Sequence, residues 1–408
     1  MDRIELLAPA KDLEKAKTAI RYGADAVYLG GKRFSLRSRA SNFDIEDIRE
    51  IADFAHGFNK KIYVTVNMVF HDDDLYGIRE YLEKLDEIGV DAIIVESLAV
   101  TSLSKKYAPH MECHISTQTS ITNSMTVKMM EEFGADRVVL AREVDMSEIE
   151  VIAKRVSVPL EVFIHGGMCS NYSGRCTLSN RMTLRDANRG GCAQSCRWKY
   201  RVYDGNTLIS SKECPLSMSS KDLRATAYIE RMIKAGVASL KIEGRMKSDY
   251  YIAQVVKTYR KMIDEIYEKG HLDDDRIAYY DDELSKAENR LSDDGFLSGK
   301  CDDTKHLYGI NGAGVTHEFI GYVKDYDRVS QMALVEVRNK FSLNDELEVF
   351  GPKVDNEHFI NTLMYNQDFE NVEVANQPME LLFVRIPFNV SEHDMIRKVD
   401  NHDRRRSY

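Results

Sequence analysis

Four of the chain's seven cysteines crowd into residues 169–196, and their spacing is the strongest chemical signal in the sequence. They read Cys169-x6-Cys176-x15-Cys192-x3-Cys196, while Cys113, Cys214 and Cys301 stand alone. An odd cysteine count in a chain with no export signal favours metal or redox use over disulfides. Gly166, Gly167, Gly174, Gly190 and Gly191 lie among the four. Glycines let a backbone fold around an inorganic core and turn N–H groups toward its sulfurs. Zinc is the rival, but structural zinc sites use tight Cys-x2-4-Cys knuckles in both halves. Only the second pair is that tight; the wide first pair suits a larger iron–sulfur core. Arg175, Arg181, Arg185, Arg189, Arg197, Lys199 and Arg201 face one acid in that stretch, Asp186, and offset thiolate charge. Spacing leaves an iron–sulfur cluster, zinc and unligated thiols open, favoured in that order.

A second set of polar residues closes the ends of strand-like runs: Asn67, Glu96, His114 with Ser116, Thr117 and Gln118, Arg142, His165, and Glu243 with Arg245. In barrel enzymes chemistry sits at the C-terminal ends of the strands. His165, His114, Glu243 and Arg245 are therefore the catalytic candidates, His165 first because it stands four residues before Cys169. Each alone reads as well as a satisfied buried polar group; their common placement with the cysteine loop singles them out. Cations gather at the same ends: Lys32, Arg33, Arg37 and Arg39, then Arg175, Arg197 and Lys199, then Lys247. Tyr172, Trp198 and Tyr200 interleave with them. Cations with aromatics suit single-stranded nucleic acid, through phosphate pairing and base stacking. Solvated charges around a metal loop would read the same way.

The elements that must position these residues alternate from the start. Strand-like runs fall at 6–9, 26–30, 62–67, 92–96, 113–117, 137–141, 162–166 and 239–244, and helical periodicity at 12–22, 45–58, 74–88, 123–133 and 147–155. The helix-to-strand joins Gly23-Ala24-Asp25, Gly89-Val90-Asp91, Gly134-Ala135-Asp136 and Gly236-Val237-Ala238 predict left-handed glycine caps. Eight such units over about 250 residues predict a closed (β/α)8 TIM-like barrel. The first turn, Ala8-Pro9-Ala10-Lys11-Asp12, lacks the GxGxxG of an open dinucleotide-binding sheet.

The barrel is expected to span 1–270, with a cysteine-rich loop at 166–216. An acidic helical linker follows at 271–312, read as a solvated helix and linker rather than a metal site. Alternating apolar residues then predict a small C-terminal antiparallel β-barrel over 313–390, and 391–408 is a tail ending in the basic run Arg404-Arg405-Arg406. The chain is 43% hydrophobic with a net charge of −10. That balance argues against a protein that coats nucleic acid non-specifically, without excluding a local basic patch. No apolar run is long enough to span a bilayer, so a soluble, cytoplasmic protein is expected.

At these motifs the chain resembles peptidase family U32. Its signature is met by Glu161, Phe163, Gly166, Met168, Cys169, Gly174, Cys176, Leu178 and Ser179, with Gly167 where serine or alanine is usual. The resemblance continues through 114–118, Gly191-Cys192 to Cys196-Arg197-Trp198, 220–223, 241–245 and Asn289-Arg290 to Gly295-Phe296. It covers nearly the whole chain, and the two-domain layout is most similar to the branch that hydroxylates tRNA. The resemblance implies a [4Fe-4S] cluster on the four cysteines. It further implies 5-hydroxylation of wobble uridine, with tRNA bound through its anticodon region. Prephenate, a small dicarboxylate, would be the co-substrate, with Arg245 suited to pair with it. A homologous partner protein is a further expected partner. Two other readings stand beside this one. The first is a collagenase-like peptidase, for which no dependable Ser/His/Asp set and no HExxH motif is found. The second is an iron–sulfur RNA-binding scaffold or an rRNA hydroxylation protein.

Overall fold

The computed structural model describes residues 3–36, 43–211, 215–287, 290–299, 301–307 and 317–399. Eight parallel strands form its first half: β1 (Glu5–Pro9), β2 (Ala26–Gly30), β3 (Lys61–Val66), β4 (Ala92–Val95), β5 (Glu112–Ile115), β6 (Arg137–Val139), β7 (Leu160–Gly167) and, after an inserted β8 (Asp222–Arg224), β9 (Ser239–Ile242). Each pairs with the next, and β9 joins both β7 and β1, so the barrel closes. The helices between them are α1 (Leu13–Arg21), α2 (Ile45–Gly57), α3 (Ile78–Ile88), α4 (Leu98–Tyr107), α5 (Ser124–Glu132), α6 (Met146–Ala153) and, after a short α7 (Leu178–Thr183) in the cysteine loop, α8 (Ile229–Ala235). Asp12, Asp44, Asn123 and Asp145 cap α1, α2, α5 and α6, each side chain accepting an N–H three residues on. The expected glycine caps are present: Gly23, Gly89, Gly134 and Gly236 all have positive φ.

Two features depart from the sequence reading. First, β6 is only three residues long, and β8 (Asp222–Arg224) runs antiparallel beside the end of β7, pairing Asp222 with Gly167 and Arg224 with His165. A two-residue strand, β10 (Ser292–Asp293), extends β8. Second, the pairing of β7 with β9 slips between Lys241 and Ile242, so His165 aligns with Ile242 rather than continuing the alternation set by Glu161 and Phe163.

The acid-rich stretch is not a solvated linker. Helices α9 (Asp249–Lys269) and α10 (Asp274–Ser285) pack together, and Tyr280, Glu283 and Leu284 are buried between α10 and its neighbours. Asp281 accepts the Thr226 hydroxyl, and Asp294 the Tyr228 hydroxyl, tying the stretch to the barrel.

The second unit is the expected antiparallel β domain, a seven-stranded half-barrel sheet among the described residues. Its strands are β11 (His317–Asp327), β12 (Met332–Val337), β13 (Glu346–Phe350), β14 (Glu357–Ile360), β15 (Met364–Tyr365), β16 (Leu381–Arg385) and β17 (Met395–Val399). Their order is β14-β13-β17-β11-β12-β16-β15. The tail expected from 391 therefore holds a central strand; Arg404, Arg405 and Arg406 lie outside the described residues. Arg397 of β17 is fully buried and pairs with Glu348 on β13 and with Gln254 on α9, its guanidinium 4.6 Å above the Phe350 ring. Charge, hydrogen bond and ring together bind the sheet to the helices of the barrel.

Candidate active site

Inward-facing residues divide the barrel into two polar ends. Toward the strand starts lie Glu5, Arg137, Glu161 and Lys241, bridged by Arg137 Nη1 to Glu5 (2.6 Å) and to Glu161 (3.2 Å), and by Lys241 Nζ to Glu161 (2.6 Å). Burial opposes the Glu161 charge, but Lys241, Arg137 and His114 hold its carboxyl below the usual range. His114 belongs here. It is wholly buried, edge-on to Tyr63, with Nε2 2.9 Å from Glu112 and Nδ1 without a partner. Its hydrogen bond brings Glu112 down to about 2, while burial lowers the histidine itself. Although His114 is the third residue of β5, it is enclosed among these groups, and no face of it is open to a substrate.

The mouth is built from the opposite ends. Glu243, just after β9, has Oε2 3.3 Å from the Tyr28 hydroxyl and 3.8 Å from Arg142 Nη2. Arg142 donates to the Gly167 carbonyl at 2.7 Å, and its guanidinium lies 3.9 Å above the Phe163 ring. Lys241 stands over the rings of Tyr28 and Phe163, joining the two polar ends. The backbone here admits no side chain at Gly166: φ is +101° and a Cβ would stand 2.1 Å from the Glu243 carbonyl. Arg245 is buried, donating to the Ser35 hydroxyl (3.2 Å) and the Leu36 carbonyl. A Cβ on Gly30 would meet its guanidinium at 2.3 Å. The expected partner of a dicarboxylate is thus engaged in holding the start of the β2–α2 loop. Arg37 and Arg39, in that loop, lie outside the described residues.

His165 is placed behind the wall. The slip between β7 and β9 turns it toward α9, where Nδ1 is 3.2 Å from the Tyr259 hydroxyl and the ring packs on Tyr251. Burial, with Arg224 and Lys247 nearby, brings it down to about 3, which favours the neutral ring. Lys247 itself is half-buried, 3.7 Å from Asp222 and above Tyr251.

The cysteine loop rises from the mouth. All four of its cysteines are free of disulfides. Cys176 is buried, Cys169 and Cys196 are half-buried, and Cys192 is exposed. Burial raises the Cys169 thiol, and the neighbouring Cys196 and Cys176 add to the rise, so these three share one surrounding. Among the described residues, no three His, Cys, Asp or Glu side chains converge as the ligands of a single metal ion. The donor set nonetheless fits a thiolate-bound centre in its chemistry: four unpaired thiols in one excursion, with cations against them. Arg197 fastens their frame, donating to the Met168 carbonyl (2.6 Å), the Ser219 hydroxyl (2.7 Å) and the Ser220 carbonyl (2.6 Å). It is therefore an internal clasp and not the expected RNA contact. Asn188 clamps Cys176 through both its N–H and its carbonyl, each at 3.0 Å. Arg175 reaches back to Glu96 (2.7 Å) and the Gln118 carbonyl. Tyr172 and Trp198 are 56% and 43% exposed and Lys199 is exposed. These three remain available to a partner.

A cleft of about 430 Å³ opens beside the loop, lined by Arg33, Phe34, Met68, Asp74, Arg189 and Gly191 among others. Sequence reasoning missed Tyr28 and Phe163 as members of the mouth and Lys241 as the link to it, because one apolar or basic residue inside a strand carries a signal only through its register with its neighbours. Two residues of alternation from Glu161 and Glu243 would have pointed to Phe163 and Lys241.

The profile of peptidase family U32 matches residues 11–307, and that of the family's C-terminal domain matches 315–397. The tRNA hydroxylation protein P1 of Bacillus subtilis is 41% identical over 408 residues, covering 97% of this chain and 94% of that protein. The 23S rRNA 5-hydroxycytidine C2501 synthase of Escherichia coli is 42% identical over 267 residues, covering 65% of this chain and 40% of that protein. A collagenase of Porphyromonas gingivalis is 33% identical over 365 residues, 85% of this chain and 86% of that protein.

Proposed function

Because the chain belongs to peptidase family U32, we propose that it is an RNA hydroxylation enzyme that acts on C5 of the wobble uridine in tRNA. The observation that carries this reading is 41% identity with a tRNA hydroxylation protein over 97% of the chain. Exposed Tyr172, Trp198 and Lys199 beside the barrel mouth support it, since they offer stacking faces and charge to a single-stranded loop.

Replacing C5–H by C5–OH is a two-electron oxidation of the base, and since the side chains at the mouth supply neither the oxygen atom nor an electron acceptor, an external oxygen donor and a two-electron oxidant must enter as co-reactants. Cys169, Cys176, Cys192 and Cys196 would hold a [4Fe-4S] cluster, which supplies electron-transfer chemistry when bound. A dicarboxylate such as prephenate is the co-substrate in this reading. Arg142, stacked on Phe163 at the mouth, is better placed than the buried Arg245 to meet one carboxylate. Glu243, oriented by Tyr28 and Arg142, is the group suited to take the proton leaving C5. The anticodon arm lies against the cysteine loop.

Nucleoside analysis of tRNA from a strain lacking the gene tests this. Loss of 5-hydroxyuridine and its derivatives is expected; unchanged levels in a strain with no paralogue contradict it. Gelatin cleavage by oxygen-free protein, abolished by a point substitution that keeps the metal content, would favour a peptidase instead.

A further inference from the structure

Leu184 is 95% exposed and sits at the end of α7 in the left-handed region, φ 55° and ψ 24°. Burial gains nothing from a leucine there, and glycine would suit the backbone better. An apolar side chain is thus kept where both packing and conformation argue against it. Met182, 50% exposed, stands beside it. Arg181 is exposed and Arg185 half-buried, and neither has an ion pair among the described residues; the Arg185 Nε is buried with no hydrogen-bond partner there.

The tip is fastened rather than loose. The Leu184 N–H donates to the Asn180 carbonyl (3.1 Å), and the Thr183 hydroxyl to the Ser179 carbonyl (2.7 Å). Asn180 accepts the Ala187 N–H at 3.2 Å, and Ser179 accepts the Ala193 N–H at 3.1 Å. The Val69 N–H then donates to the Asn188 carbonyl at 2.9 Å, tying the turn to the barrel rim after β3. Two residues beyond the tip, Asp186 begins the wall of the cleft that Arg33, Phe34 and Met68 complete.

We propose that Leu184, backed by Met182, is a wedge that inserts between neighbouring bases of a single-stranded RNA loop while Arg181 and Arg185 meet the flanking phosphates. The displaced base is then free to turn toward the barrel mouth. This rests on the reading that the protein acts on RNA. Charge favours a polyanion over a protein occupant, and the tip's place on the loop that rises from the barrel mouth favours RNA. The apolar tip is two side chains wide and is flanked in sequence by Arg181 and Arg185, neither with an ion pair among the described residues, on a chain whose net charge is −10.

The test uses the full-length protein and an anticodon stem-loop RNA carrying 2-aminopurine beside the wobble uridine. Wild-type protein should bind and raise the fluorescence as the analogue unstacks. Leu184→Gly, which relieves the backbone, should have a Tm no lower than wild type and bind roughly tenfold more weakly. At saturation it should give no fluorescence rise. Leu184→Ser should behave likewise. An unchanged rise with Leu184→Gly overturns the wedge and leaves the RNA reading standing. Failure of wild-type protein to bind the stem-loop overturns both. Loss of self-association or of binding to anionic vesicles in Leu184→Gly, with RNA binding intact, assigns the tip to another occupant and also overturns the proposal.

Discussion

Glu243 and Tyr28 meet at 3.3 Å across the barrel mouth, carboxylate to phenol, with Arg142 3.8 Å from the same oxygen. Glu96, at the end of β4, is instead taken by Arg175 of the cysteine loop at 2.7 Å. If Glu243 takes the proton from C5, Glu243→Gln should lower turnover on the order of 10²-fold while RNA affinity stays within about twofold. Single-turnover modification of tRNA, with binding measured separately, checks this. An equal loss in affinity would make the residue a binding group instead.

His165 should prove structural. Its folded pKa of about 3 lies below the ordinary histidine value of about 6.5. Between those pH values the unfolded chain takes up a proton that the fold refuses. The stability His165 contributes is therefore present above about pH 6.5 and is lost progressively as pH falls toward 3, by an amount on the order of a few kcal/mol. Urea unfolding from pH 7 to pH 4 should show a falling midpoint, and His165→Phe should flatten that fall. His165→Gln should keep modification activity within a few-fold at neutral pH. A thousandfold loss there would restore it as a catalyst.

Arg197 and Lys199 are two residues apart and should behave differently. Arg197→Ala leaves the Met168 and Ser220 carbonyls without their charged donor and should loosen the loop by about 3 kcal/mol. Hydrogen exchange over 168–220 should speed up, with a smaller effect elsewhere. Lys199→Ala should leave exchange unchanged and reduce the salt dependence of RNA binding by roughly 0.7 in the log–log slope, one phosphate contact.

Cys113 should be inert. Burial pushes its thiol up to about 12. In metal-free, reduced protein, alkylation should label the exposed Cys192 and Cys301 first and leave Cys113 unmodified until the chain unfolds. Labelling of Cys113 at native pH would contradict its placement.

The barrel was legible because its signals are local. A glycine at each of four helix ends and an acid or amide before four helices mark the joins, whatever the tertiary context. The cysteine loop was legible for the same reason. His165 was not, because its direction depends on a register slip between β7 and β9, strands some eighty residues apart in sequence. Arg245 and Arg197 read as free cations in the sequence, yet their donors are taken by carbonyls and hydroxyls far along the chain. The acidic stretch misled by composition: Glu283 is charged but buried against Lys286 and Arg397. Strand β17 was lost to the tail because Met395–Val399 is central only through its pairing with β11 and β13.

Iron and acid-labile sulfide in protein purified without oxygen bear most directly on the inorganic centre that the whole reading requires. About four of each per chain are expected, falling to near zero in Cys169→Ala and in Cys192→Ala, even though Cys192 is the exposed member of the set. One zinc per chain without sulfide, or full iron retained by Cys192→Ala, would contradict it.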